Sequence, residues 1–406
     1  MQLLYIDPGT GSMLFTVLIG IIGAGIYSLR MLFIKLRYKL GGKVEALDKK
    51  IPFVIFSDDK RYWNIFEPIC KRLSSYGKEI LYITGSPDDP ALSCEFENFS
   101  AEYLEGNKLY TRLNFIEANI VFSTTPGLEV YQWKRSRNVD FYVHIPHAAS
   151  DIVLYRMFGI DYYDAIMLSG DYQAKDIRDL EKMRNLPEKE LIKVGIPYMD
   201  EMAKRFENHG SVIEHPRTVL LAPSWGPSAL LKVYGEKIIE VLLKTGYHII
   251  IRPHPQSFTS EKEMIDELMK KYPDSEQLEW NRDTDNFEVL LKSDILISDF
   301  SGVIFDFSLV YDKPVIYTDP KFDVSVYDAW WLDRELWTVS ALERLGTQLT
   351  DENIENLKEL IDNCIGDSSF ADGRRSVKEE TWAYCGEGAD RAAEYLIKKY
   401  EALEGK

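Results

Sequence analysis

Three of the chain's six histidines fall in two short motifs that each close an apolar run: VHIPHAASD, with His144 and His147, and IIIRPHPQS, with His254. Imidazole titrates near neutral pH, so two rings at i and i+3 on a strand exit suit a general base beside a substrate ligand. Either ring taken singly also reads as a hydrogen-bonded structural histidine. As a metal pair they lack further ligands at suitable spacing, and Asp151 alone is too common to count; neither metal nor cofactor is expected. Arg252 offers a planar fork of donors suited to phosphate, and Pro253 and Pro255 restrict the backbone around His254. A third stretch, ILISDFSGVIFDF, ends an apolar strand at Ser298 and Asp299, places Ser301 as an N-cap, and leaves Gly302 where a ligand can approach the first turn of a helix. The amides and positive end of such a helix suit a diphosphate. The weaker motif LLAPSWGP offers Ser224 to a phosphate and Trp225 as a stacking face, with a capped turn and a core Trp as the equal alternative. The sequence contains neither GxxxxGK[ST] nor a full GxGxxG, so ordinary P-loop and dinucleotide sites are unsupported.

All of these motifs stand at the ends of apolar, β-branched runs that alternate with helical stretches, the pattern of parallel α/β architecture. The spacing predicts strands at 53–56, 80–84, 119–123, 141–145, 165–168 and 191–194, with a crossover helix over 62–76. After a polar linker at 207–217, a second series follows: strands at 218–221, 248–251, 295–298 and 314–317, and helices at 232–245, 261–272, 286–292 and 301–310. Two doubly wound domains then face one cleft, where ligands meet the carboxyl ends of both sheets. The expected boundaries are 50–206 for the first domain, 216–375 for the second, and 376–406 for a helical tail able to pack back across the hinge. The aromatic run YDAWWLDRELW reads mainly as core, with a membrane-proximal or acceptor-facing surface as the alternative.

The 406 residues include 48 basic and 65 acidic side chains, a net charge of −17, which argues against a nucleic-acid partner. Cys70, Cys94, Cys364 and Cys385 form no CxxC pair and read as thiols in a reducing compartment. From Pro8 to Leu29 the chain carries no charge, and the apolar run continues past Arg30 to Ile34. That length spans a bilayer, and the flank of Arg30, Lys35, Arg37, Lys39 and Lys43 orients it. The expectation is a retained single-pass anchor over 8–34 in the inner, cytoplasmic membrane, with the catalytic domains on the cytoplasmic side.

APSWG, RPHP, NFEVLLKSDILISDFSGVIFDF and KPVIYTDP, in that order and spacing, resemble the CDP-glycerol glycerophosphotransferases, the family of teichoic-acid primases and polymerases. The resemblance covers roughly 141–323. It implies a GT-B-like arrangement of two Rossmann-like domains and a CDP-glycerol or similar CDP-alditol donor. The acceptor it implies is a hydroxyl of a lipid-linked or surface glycan, with release of CMP at a membrane. By position it implies His147 or His144 as the base, with preference for His147, and His254 at the donor phosphate and leaving group. Ser298, Asp299 and Ser301 would hold the pyrophosphate, and Glu288 would stand near the nucleotide ribose. The chain departs from the family pattern at HIPHA, where His-Gly-Thr-Pro is usual, at Ser301-Gly302, where two serines are usual, and at Tyr198, where Arg is frequent. A nucleotide-sugar glycosyltransferase, a nucleotide-sugar epimerase and a catalytically silent scaffold are the competing readings.

Overall fold

The computed structural model describes residues 50–209, 215–283, 285–319 and 323–405. The apolar segment expected to span a membrane lies outside them. Among the described residues no helix is long and apolar enough to cross a membrane.

The first sheet contains β1 (Ile51–Ser57), β2 (Ile80–Thr84), β3 (Phe99–Tyr103), β4 (Ala118–Ser123), β5 (Val139–His144), β6 (Ala165–Leu168) and β7 (Glu190–Lys193). Their order is β3-β2-β1-β4-β5-β6-β7, and every neighbouring pair is parallel. The second sheet contains β8 (Thr218–Leu221), β9 (His248–Ile251), β10 (Leu278–Trp280), β11 (Ile295–Ser298), β12 (Val315–Thr318) and β13 (Gly346–Leu349). It is also wholly parallel, in the order β10-β9-β8-β11-β12-β13. The central strands are buried along their length because helices cover both faces of a parallel sheet, which is why they read as unbroken apolar runs. In each sheet the order reverses beside the first strand, and the loops after the strand ends there form the natural ligand crevice.

Three strands escape the sequence pattern: β3, β10 and β13, each at a sheet edge. The helix expected over 232–245 is interrupted at Gly235, whose φ of +51° separates Leu230–Tyr234 from Glu236–Lys244. Ser301 does not cap the next helix. Gly302 occupies the N-cap of Val303–Val310 and makes no side-chain cap bond.

The tail forms two helices, Ser369–Thr381 and Gly388–Glu404, rather than one. The second returns to the first domain. Ala392, Ala393, Leu396, Ile397 and Tyr400, spaced as one helical stripe, bury against the core of the first sheet, with Tyr400 and Phe53 ring centroids 5.5 Å apart. The crossing segment runs tight against the first domain. A Cβ at Gly170 would lie 1.8 Å from the Glu380 carbonyl oxygen, and one at Gly195 would lie 2.0 Å from that of Ala383. Asp200 pins the same segment by accepting from Trp382 Nε1 (2.7 Å), Gly386 N (2.6 Å) and Gly388 N (2.8 Å).

Candidate active site

His144 is the last residue of β5 and is fully buried. Its ring lies between Tyr155 and Tyr163, at centroid distances of 5.2 and 4.9 Å, and its Nε2 meets Tyr155 Oη at 3.2 Å. Burial, with a smaller contribution from His147, lowers its pKa to about 3. His147 follows on the half-buried loop, packed on Tyr62 at 5.1 Å and with Nδ1 3.4 Å from the same Tyr155 Oη. Burial and the Arg61 guanidinium lower its pKa to about 4.

The loop bearing His147 is held from the second domain. Asp151 accepts from the backbone N–H groups of Trp337 (2.9 Å) and Thr338 (2.8 Å), capping the helix Trp337–Leu345 across the domain boundary. A Cβ at Gly302 would touch the Ala148 methyl at 3.4 Å, so the start of helix Val303–Val310 abuts the histidine loop. Further along, Arg184 forms a buried ion pair with Asp161 (2.7 Å) and Asp328 (2.5 Å), and Asp328 N donates to the Tyr155 carbonyl at 2.9 Å. The aromatic run therefore divides: Trp337 stacks between Tyr172 (4.1 Å) and Phe305 (5.2 Å), whereas Trp330 is 61% exposed.

On the second domain, His254 Nδ1 accepts from Gln256 N at 3.1 Å, so the neutral ring carries its proton on Nε2 and presents a donor. Burial and, again, Arg61 lower its pKa to about 4. Arg61, in the short helix Lys60–Tyr62 just after β1, thus acts on one histidine from each domain. Arg252 bonds Asn281 and lines a cleft of about 1010 Å³ together with Arg61, Arg72, Arg205 and Asn286.

Of the site residues expected from the sequence only Arg252 lines this cleft, and His144, His147 and His254 lie outside its lining. Asp299 is fully buried and accepts from Ser224 N (3.0 Å), Leu230 N (2.9 Å), Phe300 N (2.8 Å) and the Ser224 hydroxyl, so Asp299 and Ser224 are spent on each other and on the loop after β8. Ser298 donates to the Ala222 carbonyl at 2.6 Å and ties β11 to the end of β8. Ser301 and Gly302 remain partly exposed, and Glu288 is exposed on the helix Phe287–Leu291. Arg61, Tyr62 and Tyr155 had no place in the sequence reading. Arg61 and Tyr62 lie in SDDKRYW, directly after an apolar strand, and strand-end position was the available signal. Tyr155 had none, because the loop that carries it has no period. Among the described residues no group of three or more His, Cys, Asp or Glu is placed to hold a metal ion.

The model of the family described as CDP-glycerol:poly(glycerophosphate) glycerophosphotransferase matches residues 132–394. The chain belongs to this family. It is accordingly a transferase, of a family defined by a CDP-glycerol-type donor and a glycan acceptor. No curated protein matches the chain. Among solved structures, the wall teichoic acid polymerase TagF is 17% identical, with 95% of this chain and 99% of that chain covered and a TM-score of 0.60. A UDP-N-acetylglucosamine 2-epimerase from Rickettsia bellii is 10% identical, with 88% and 98% covered and a TM-score of 0.54. At these identities both likenesses concern the fold: two parallel-sheet Rossmann-like domains, as in this glycerophosphotransferase-family chain.

Proposed function

We propose that the protein transfers glycerol phosphate, or a related alditol phosphate, from a CDP-activated donor to a hydroxyl of a lipid-linked or surface glycan, releasing CMP. The observation that carries this reading is that His147 and His254, one from each domain, are both held well below the ordinary imidazole range, by burial first and by the charge of Arg61 second. Both rings are neutral near pH 7, as a base and a hydrogen-bond donor require. His147 removes the proton of the acceptor hydroxyl as its oxygen attacks the phosphorus bearing glycerol. The bond from that phosphorus to the bridging oxygen breaks, and the electron pair leaves on CMP. Arg252, the Nε2–H of His254 and the uncapped first turn at Gly302 meet the departing charge. In this reading Asp299 and Ser298 shape the loops around the phosphates without touching them. Residues 8–34 anchor the enzyme in the inner membrane, the catalytic domains face the cytoplasm, and Glu288 stands toward the ribose.

The test offers detergent-solubilised enzyme CDP-glycerol, CDP-ribitol and a panel of nucleotide sugars with a membrane-lipid extract. CMP released only from a CDP-alditol, and only with acceptor present, is the expected result. A nucleoside diphosphate released from a sugar donor would replace this function with glycosyl transfer.

A further inference from the structure

We propose that the aromatic face made by Phe158, Val326, Trp330 and Trp331 rests in the boundary zone of a lipid bilayer, between headgroups and acyl chains, and brings the histidine loop to that surface. The proposal deepens the reading of a lipid-linked acceptor and rests on the anchor at 8–34. Trp330, at 61%, is the most exposed large apolar side chain among the described residues, and Val326 (51%), Phe158 (39%) and Trp331 (37%) accompany it. Single exposed apolar residues are ordinary, whereas a fixed group of them marks a contact surface.

The group is one assembly drawn from both domains. Met157 N donates to the Val326 carbonyl at 3.1 Å, and Arg156 pairs with Tyr327 in an isolated antiparallel bridge. Phe158 N donates to Asp328 Oδ1 at 2.8 Å. The Arg184 guanidinium lies over two of the rings, 4.8 Å from the centre of Phe158 and 5.0 Å from that of Trp331, while it pairs below with buried Asp161 and Asp328. A buried ion pair thus holds the aromatic side chains in place at the surface. Tyr155, three residues before Phe158, contacts both His144 and His147, so the face shares a loop with the candidate base.

The chemistry of the face favours a bilayer over a protein partner. Four side chains are few against the roughly 20 to 30 residues a side that stable protein interfaces use. Indole joins an apolar body to one N–H, the combination that settles where a membrane meets water. Asp323, Asp333 and Glu335 are exposed on the same segment, so the face is not built to draw anionic headgroups by charge, and apolar insertion is the contact it suits. The 16 residues from Lys35 to Lys50 join the apolar run to β1 and can extend about 55 Å, so the tether alone does not decide which face meets lipid.

The test reads tryptophan fluorescence and needs neither donor nor acceptor. All eight tryptophans lie between Trp63 and Trp382, so none belongs to the segment at 8–34. The 406-residue chain is assembled into phosphatidylcholine nanodiscs, with and without bromine on the acyl chains close to the headgroups, where bromine quenches only nearby indoles. Wild-type emission is expected to fall by up to about a quarter in the brominated discs, the share of two indoles in eight. A variant carrying Trp330→Phe and Trp331→Phe, which keeps the face aromatic, is expected to lose that quenching. A chain that enters the discs unquenched, or is quenched equally in the variant, would overturn the proposal, and a chain that does not enter them would overturn the anchor as well. A dimer in detergent that Trp330→Asp makes monomeric would give the face to a second copy and also overturn it. Trp330→Asp should lower CMP release by about fivefold or more with the lipid extract in vesicles, yet leave it within about twofold once the extract is dispersed in detergent. Quenching as expected in a chain inactive with every CDP-alditol would uphold the membrane face and overturn the transfer reading alone.

Discussion

Tyr198 of the first domain donates to Asp306 Oδ1 on the second-domain helix Val303–Val310 at 2.7 Å, with both side chains buried. The helix whose first turn abuts the histidine loop is thereby tied to the first domain by a neutral donor and a carboxyl group.

Burial raises the pKa of Asp306 from 3.8 to about 6, opposed by the bond from Tyr198. A raised folded-state pKa contributes stability that is fully present below the unfolded value near 3.8 and is lost as pH rises through about 6. Above that pH the buried ionised carboxylate costs on the order of 3 kcal/mol. The Tm of Asp306→Asn minus that of the wild type should therefore increase between pH 4 and 7. Tyr198→Phe, which strips the ionised carboxylate of one of its donors and leaves Asn286, should cost about 1 to 3 kcal/mol at pH 7.5. Thermal melts across the series check both.

The two site histidines predict an unusual acid limb. With His147 and His254 each held near about 4, kcat/KM for CMP release should stay level from pH 8 down to about 5 and fall only below it. Burial is the larger cause and Arg61 the smaller. Arg61→Ala should move the limb upward in pH, part of the way toward ordinary imidazole, as read from the pH profile. His147→Ala and His254→Ala should each lower kcat/KM by about 100-fold or more.

Asp299 should behave as a structural residue despite its place in the helix-start motif. Its carboxylate satisfies four donors, so Asp299→Ala leaves buried N–H groups and a hydroxyl unpaired and should destabilise the protein by on the order of 3 kcal/mol. Denaturant unfolding measures this, and an unaltered midpoint would contradict it.

Gly195 takes a φ of +87° and faces the Ala383 carbonyl with no room for a methyl group. Gly195→Ala should cost on the order of 2 kcal/mol and loosen the crossing segment. Hydrogen exchange should then quicken in residues 388–404 before it quickens in the central strands.

The interior strands were legible because burial on both faces leaves long apolar runs, and 80–84, 165–168, 218–221, 248–251 and 295–298 match the structure residue for residue. β3 with FSAEY, β10 with LEW and β13 with GTQL lie at sheet edges, where one flank meets water and neither length nor hydrophobicity stands out. The site divides in the same way. Histidines at strand exits announce themselves by type and position. Tyr155 earns its place only through contacts that the fold brings together, and Asp299 looked ligand-facing because sequence cannot show that its bonds are already made at home.

The returning helix Gly388–Glu404 also sets an order of events during synthesis. The first domain is made before the second, yet the surface around Phe53 that receives Tyr400 stays uncovered until the 17-residue helix Gly388–Glu404 has left the ribosome. Completion of the first domain therefore waits on a segment translated after the second, and a chain halted anywhere in the second domain carries an unfinished first one.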